Sequence, residues 1–143
     1  MRWLLVVGMV VLAGCTMCTL KLVRGSLRFE LPDTEANALT AAPSTIEACI
    51  DDTCWSDALD ETGTGSITTF NGPARLLEIA REQRDGGVSS SVTAGATSDV
   101  SLTLSRDGGI VFTHSWSDVT FEKTEPNGPG CGELYQLEAP LTF

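Results

Sequence analysis

The chain has 143 residues, 42% of them apolar, with 9 basic against 19 acidic side chains and a formal net charge of −10. Its length suggests one domain, and its apolar content supports a modest core and argues against wholesale disorder. So acidic a chain repels nucleic acid and anionic lipid, so neither is expected as an electrostatic partner.

The first segment is the most specific. Met1 and Arg2 give a short basic start, and Trp3 to Leu12 is an unbroken apolar run, followed by Ala13, Gly14 and Cys15. This is the layout of a secretory signal: basic end, apolar middle, small residues before a cut. Leu12-Ala13-Gly14-Cys15 resembles the lipobox of bacterial lipoproteins. The resemblance implies a signal peptide over 1–14, cleavage before Cys15 and a diacylglyceryl thioether on its sulfur. Residues 15–19 are then a short lipidated tether, and 20–143 a single domain at an extracytoplasmic face of the cell membrane or outer membrane. Two alternatives remain at this point. Trp3 to Leu20 carries no charge over eighteen residues, and a helix of that length spans roughly 27 Å, close to a bilayer core. A retained single-span anchor is therefore one, and an ordinary cleaved signal is the other. Loss of Arg2 leaves 8 basic and 19 acidic residues, or −11. Such a domain needs two acyl chains to stay at an anionic membrane, because one binds only marginally.

The rest of the chain reads as β. In 22–31, Val23, Leu27, Phe29 and Leu31 alternate with Arg24, Ser26, Arg28 and Glu30, the period of a half-buried strand. Residues 32–45 lack periodicity and are expected to be a loop. Strands over 44–50 and 53–56 flank Asp51-Asp52, a predicted two-residue hairpin turn. An acidic, Gly-rich loop is expected over 56–66, and a short strand over 66–70. The segment 73–87 is rich in helix formers, with Pro73 suited to a first turn and Gly86 to an end. It predicts a short helix covering the sandwich, with a further strand over 75–81 as the alternative. Strands follow at 99–105, 110–116 and 118–123, the first two joined by the turn signal Arg106-Asp107-Gly108-Gly109. The last strand, 134–143, holds Pro140, which marks it as an edge strand or a bulged one. Seven or eight short strands separated by turn signals predict an all-β fold, an antiparallel sandwich with one short helix.

Five cysteines in so short a chain point to an oxidising compartment. With Asp51-Asp52 as the turn, Ile50 faces Thr53 and Cys49 faces Cys54 as a non-hydrogen-bonded pair. Cα atoms there lie about 4.5 Å apart, within disulfide range, so a Cys49–Cys54 bond is expected. Cys18 and Cys131 are then left over, and they can pair only if the last loop reaches the membrane-proximal end. That loop contains Asn127-Gly128-Pro129-Gly130-Cys131. With the lipobox and the Cys49/Cys54 pair, it is similar to small uncharacterised actinobacterial lipoproteins that carry an Asn-Gly-Pro-x-Cys segment before their final strand. In that group a second cysteine often follows closely; Gly132 to Gln136 holds none. The resemblance implies no activity.

Candidate catalytic and metal chemistry is thin. Glu30, Asp33, Glu35, Glu47, Asp51, Asp52, Asp57, Asp60 and Glu61 fall in a stretch, 29–74, without Lys or Arg. Acidic loops can hold calcium, but 57–65 lacks the alternate-position acids of a calcium loop. His114 is the only histidine, and strand alternation sends Ser115 and Ser117 to the face opposite it, so no triad is expected. One histidine and pairing cysteines give no closed zinc set. The sequence points to a lipid-anchored, non-catalytic envelope domain without cofactor or metal, which binds a protein or glycan ligand. The alternative is an accessory hydrolase or calcium-dependent domain using the acidic loops.

Overall fold

The computed structural model describes residues 24–82, 96–125, 129 and 134–143. The lipobox with Cys15, the tether with Cys18, and Cys131 lie outside the described residues. So do most of the Asn-Gly-Pro-x-Cys segment and the final residues of 73–87. Ten strands and one helix are formed among the described residues. Three sheets result: β10-β1-β5-β4, β3-β2-β6-β7, and the small pair β8-β9.

β1 (Arg24–Glu30) runs antiparallel to β5 (Leu76–Glu82), placing Leu27 opposite Ile79 and Phe29 opposite Leu77. These four side chains are buried on one face. The facing sheet contributes Ile46, Ala48 and Ile50 from β2 (Ser44–Ile50), Trp55 and Leu59 from β3 (Thr53–Leu59), and Val100, Leu102 and Leu104 from β6 (Thr97–Arg106). Each of these strands alternates in burial, because successive side chains point to opposite faces of a sheet. Full burial of each large aliphatic side chain contributes about 1.5–3 kcal/mol. The result is the expected all-β sandwich.

Several elements differ from the sequence-based expectation. The helix expected in 73–87 is not formed in the part described. Gly72–Ala74 is a single 3-10 turn holding Pro73, and Arg75, at φ 53°, ends it. β5 then starts at Leu76, which corresponds to the alternative for 75–81. Leu77 and Ile79 are needed as the central rung between β1 and β4 (Thr68–Asn71), and that packing overrides helix propensity. The expected loop 32–45 contains α1 (Asp33–Thr40), which carries the chain from one sheet to the other and buries Ala36 and Leu39. No basic residue lies in its last turn. Arg106 of β6 takes that role, its Nη2 donating to the carbonyls of Ala38 (2.6 Å) and Ala42 (3.3 Å), where a cation also suits the helix dipole.

The strands expected at 110–116 and 118–123 are largely one. β7 (Gly109–Thr120) takes an extra residue at 110–111 and another at 117–118, where Asp118 has φ 57°, and β8 (Glu122–Thr124) follows. The last strand is broken into β9 (Leu134–Gln136) and β10 (Leu141–Thr142), with Pro140 in the gap. β10 pairs parallel with β1, Phe29 beside Leu141, an exception to the antiparallel pattern.

The hairpin register is as expected: Ile50 opposite Thr53 and Cys49 opposite Cys54, the two cysteines bonded with Cα atoms 4.0 Å apart. Asp51 takes φ 49° at the turn. Its amide donates to the Asp99 carbonyl and its carboxylate accepts from the Asp99 amide, both at 2.8 Å, which ties the turn to β6. Because that bracket and the core hold the hairpin independently, the double variant Cys49→Ser/Cys54→Ser is expected to stay folded. The closed loop is short, so the loss should be below about 3 kcal/mol, read from urea titration. Loss of the β7 amide protection in hydrogen exchange would show that the bond holds more than the hairpin.

Candidate functional site

Each of the two lateral sides of the sandwich is tied by its own set of side chains. On one side, β3 is joined to the turn before β4. Asp57 points inward from β3 and is 7% exposed. Its Oδ1 accepts from the Ser66 amide (3.1 Å) and hydroxyl (2.7 Å), and its Oδ2 from the Ile67 amide (2.9 Å). Burial pushes the Asp57 carboxyl up, but the Ser66 hydroxyl and the Ile67 and Ser66 amides outweigh it and hold it below the ordinary range. Asp60, next in the loop, accepts from the Thr62 hydroxyl and the Thr62 and Thr64 amides, which lower it as well. These are turn-forming contacts of the kind Asp makes locally.

On the other side lies an aromatic group. Phe112, His114 and Trp116 share the inner face of β7, in register with Leu104, Leu102 and Val100 of β6. The C-terminal Phe143 sits edge-on to them, its ring centroid 4.3 Å from His114 and 5.1 Å from Trp116. Trp116 also lies 5.3 Å from Phe29 of the facing sheet. The Trp116 Nε1 donates to the Thr142 carbonyl at 2.7 Å. Residues 142–143 thus bridge the two sheets. Tilted and T-shaped ring pairs of this kind add about 0.5–1.5 kcal/mol each beyond area burial.

His114 meets Glu35 of α1, with Nε2 to Oε1 at 3.4 Å. The Thr34 hydroxyl donates to the other Glu35 oxygen and is the main cause lowering that carboxyl; partial burial opposes it, and His114 lowers it further. Ser115 pairs with Ser101 on the opposite, outer face. Among the described residues the structure therefore places His114 among aromatic rings and one carboxylate, not beside a hydroxyl nucleophile.

The acidic stretch is dispersed. Asp33 pairs with Arg75 at 3.0 Å, Glu35 with His114, Asp51 with the Asp99 amide, and Asp57 and Asp60 with their own loop. Glu47 lies beside Cys49 and Cys54, close enough to share an ion. Both sulfurs are in the disulfide and offer no thiolate. No family model, curated protein or solved structure matches this chain. No helix among the described residues is long and apolar enough to cross a membrane.

Sequence patterns gave no sign of the Asp57 and Arg106 contacts. Arg106 joins positions distant in the chain, Asp57 closes its own loop onto Ser66 and Ile67, and the residue types carried no signal beyond Asp near a Gly-rich loop and Arg before a turn.

Proposed function

We propose that the chain is a bacterial lipoprotein: residues 1–14 are a signal peptide, Cys15 is lipidated, and the β-sandwich is a non-catalytic binding or structural module outside the cytoplasm. The observation that carries this is Leu12-Ala13-Gly14-Cys15 at the end of a ten-residue apolar run behind Arg2. The bonded Cys49–Cys54 pair supports an oxidising compartment. The engagement of His114, Asp57 and Asp51 in contacts that join sheets and turns supports a module without catalysis. The net charge of −11 after cleavage supports a covalent anchor, since electrostatics alone would expel the domain from an anionic surface.

Cys15→Ser tests the anchor. The wild-type chain should begin at residue 15, carry the mass of a diacylglyceryl group and partition with membranes until detergent is added. The variant should remain an uncleaved precursor without lipid. Mature protein that begins elsewhere and carries no acyl mass would overturn the proposal.

A further inference from the structure

β7 is an edge strand of unusual composition. Among the described residues its backbone ladder is with β6 alone. Edge strands normally carry an inward charge, Lys, Pro or bulges that stop further pairing. The other long edge of its sheet, β3, has the inward Asp57. From Gly109 to Ser117, β7 has no Asp, Glu, Lys, Arg or Pro. Its two bulges frame a regular stretch, Phe112 to Trp116, of five residues, or about 17 Å of strand. The large apolar side chains exposed among the described residues all gather here: Ile110 (71%) and Val111 (42%) on β7, and Phe143 (37%) packed edge-on against its inner face.

A groove of about 650 Å³ continues from this edge, between the end of β7, β8 and residues 137–141. Trp116, Leu137, Pro140 and Leu141 give it an apolar wall, and the exposed Glu122 and Glu138 line it; among the described residues no Lys or Arg does. Asp118 stands exposed at the bulge beside it, and Glu35 lies at His114.

We propose that this edge and groove bind an extended, positively charged segment of a protein partner, which adds about five residues to β7 as a further strand. This rests on the reading of the sandwich as a binding module, and not on the lipid anchor. Main-chain pairing supplies affinity, and alternate side chains supply selectivity. On the inner side the incoming residues meet Phe112, His114 and Trp116, and so should be apolar. On the outer side they meet Thr113 and Ser115, and so should be small and polar. Lys or Arg beyond them meets Glu122, Glu138 and Asp118. A second copy of this chain fits less well, because it brings a net charge of −10 and the same carboxylates to the rim.

The test uses the full chain in a neutral detergent and a labelled, end-blocked probe peptide, Lys-Val-Thr-Val-Thr-Val-Lys. Two controls carry Glu in place of both Lys, or Pro at the central Val. The Lys peptide should bind, and each control should bind at least about tenfold more weakly. Hydrogen exchange at the amides of 112–116 should slow on binding. The double variant Glu122→Gln/Glu138→Gln should bind the Lys peptide about three- to tenfold more weakly, with unchanged thermal unfolding. Equal binding of the Glu peptide, protection confined to other strands, or no binding at about 1 mM would overturn the proposal. Concentration-dependent dimerisation that protects 112–116 without peptide would overturn it too, assigning the edge to a second copy. Failure of the Cys15 experiment leaves these outcomes unaffected, so the two readings fail separately.

Discussion

Gly63→Ala is expected to destabilise the domain by about 3 kcal/mol, combining an overpacked core with a disfavoured backbone conformation. Gly63 has φ +74°, and a Cβ there would stand 2.1 Å from Leu39 Cδ2 and 3.2 Å from Phe70 Cβ. Leu39 is fully buried. Helix α1 cannot yield by moving outward without drawing Leu39 from the core and breaking the Arg106 contacts to Ala38 and Ala42. Leu39→Ala alone should cost about 2–5 kcal/mol. The double variant should cost less than the sum, because the truncated side chain vacates the space the new methyl needs. Urea titrations of the four proteins would measure this. Strict additivity, or a Gly63→Ala loss below about 0.5 kcal/mol, would show that the loop relaxes away from α1.

Asp57→Asn should be nearly as damaging, at about 2–4 kcal/mol, because an amide cannot accept at both positions. One of the Ser66 or Ile67 amides would face a donor instead of an acceptor. The same site sets an acid limb. Asp57 is held below its ordinary carboxyl range in the folded chain. Between the lower folded value and the ordinary unfolded one, the unfolded state binds more protons, so stability rises with pH. The contribution is complete above the unfolded value and is lost as pH falls through the folded one. Neutral and mildly alkaline pH should leave it unchanged. Asp57→Asn should flatten this limb of a stability–pH curve without shifting the neutral plateau's slope. An unaltered acid limb in the variant would assign it to other carboxylates.

Both sites lie at the connection between β3 and β4, where Gly65 also belongs: a Cβ there would meet Asp57 Oδ2 at 2.3 Å and the Ala58 carbonyl at 2.6 Å. The sequence 57–66 reads as a solvated acidic loop. In the folded chain it is the tie that closes one side of the sandwich, and Trp116 with Thr142 closes the other.

What the sequence by itself determined is local. Period-two alternation in 22–31 and 99–105, and the turn at Asp51-Asp52 beside 44–50, mark local strands, and their described parts formed with the apolar face inward. A two-residue turn leaves one register, so Cys49 opposite Cys54 follows from the hairpin's own residues. The tertiary structure decided what depends on distant neighbours. Residues 76–82 became a strand because a central position between β1 and β4 needs Leu77 and Ile79, although the segment's propensities favour a helix. Residues 33–40 became a helix because Leu39 and Ala36 find a core and Arg106 satisfies the end. The fused β7, the parallel β10 and the meeting of His114 with Glu35 and Phe143 arise from chain segments that approach only when both sheets close. No local pattern encodes such contacts, because their free energy resides in surfaces that neither segment presents until the other is in place.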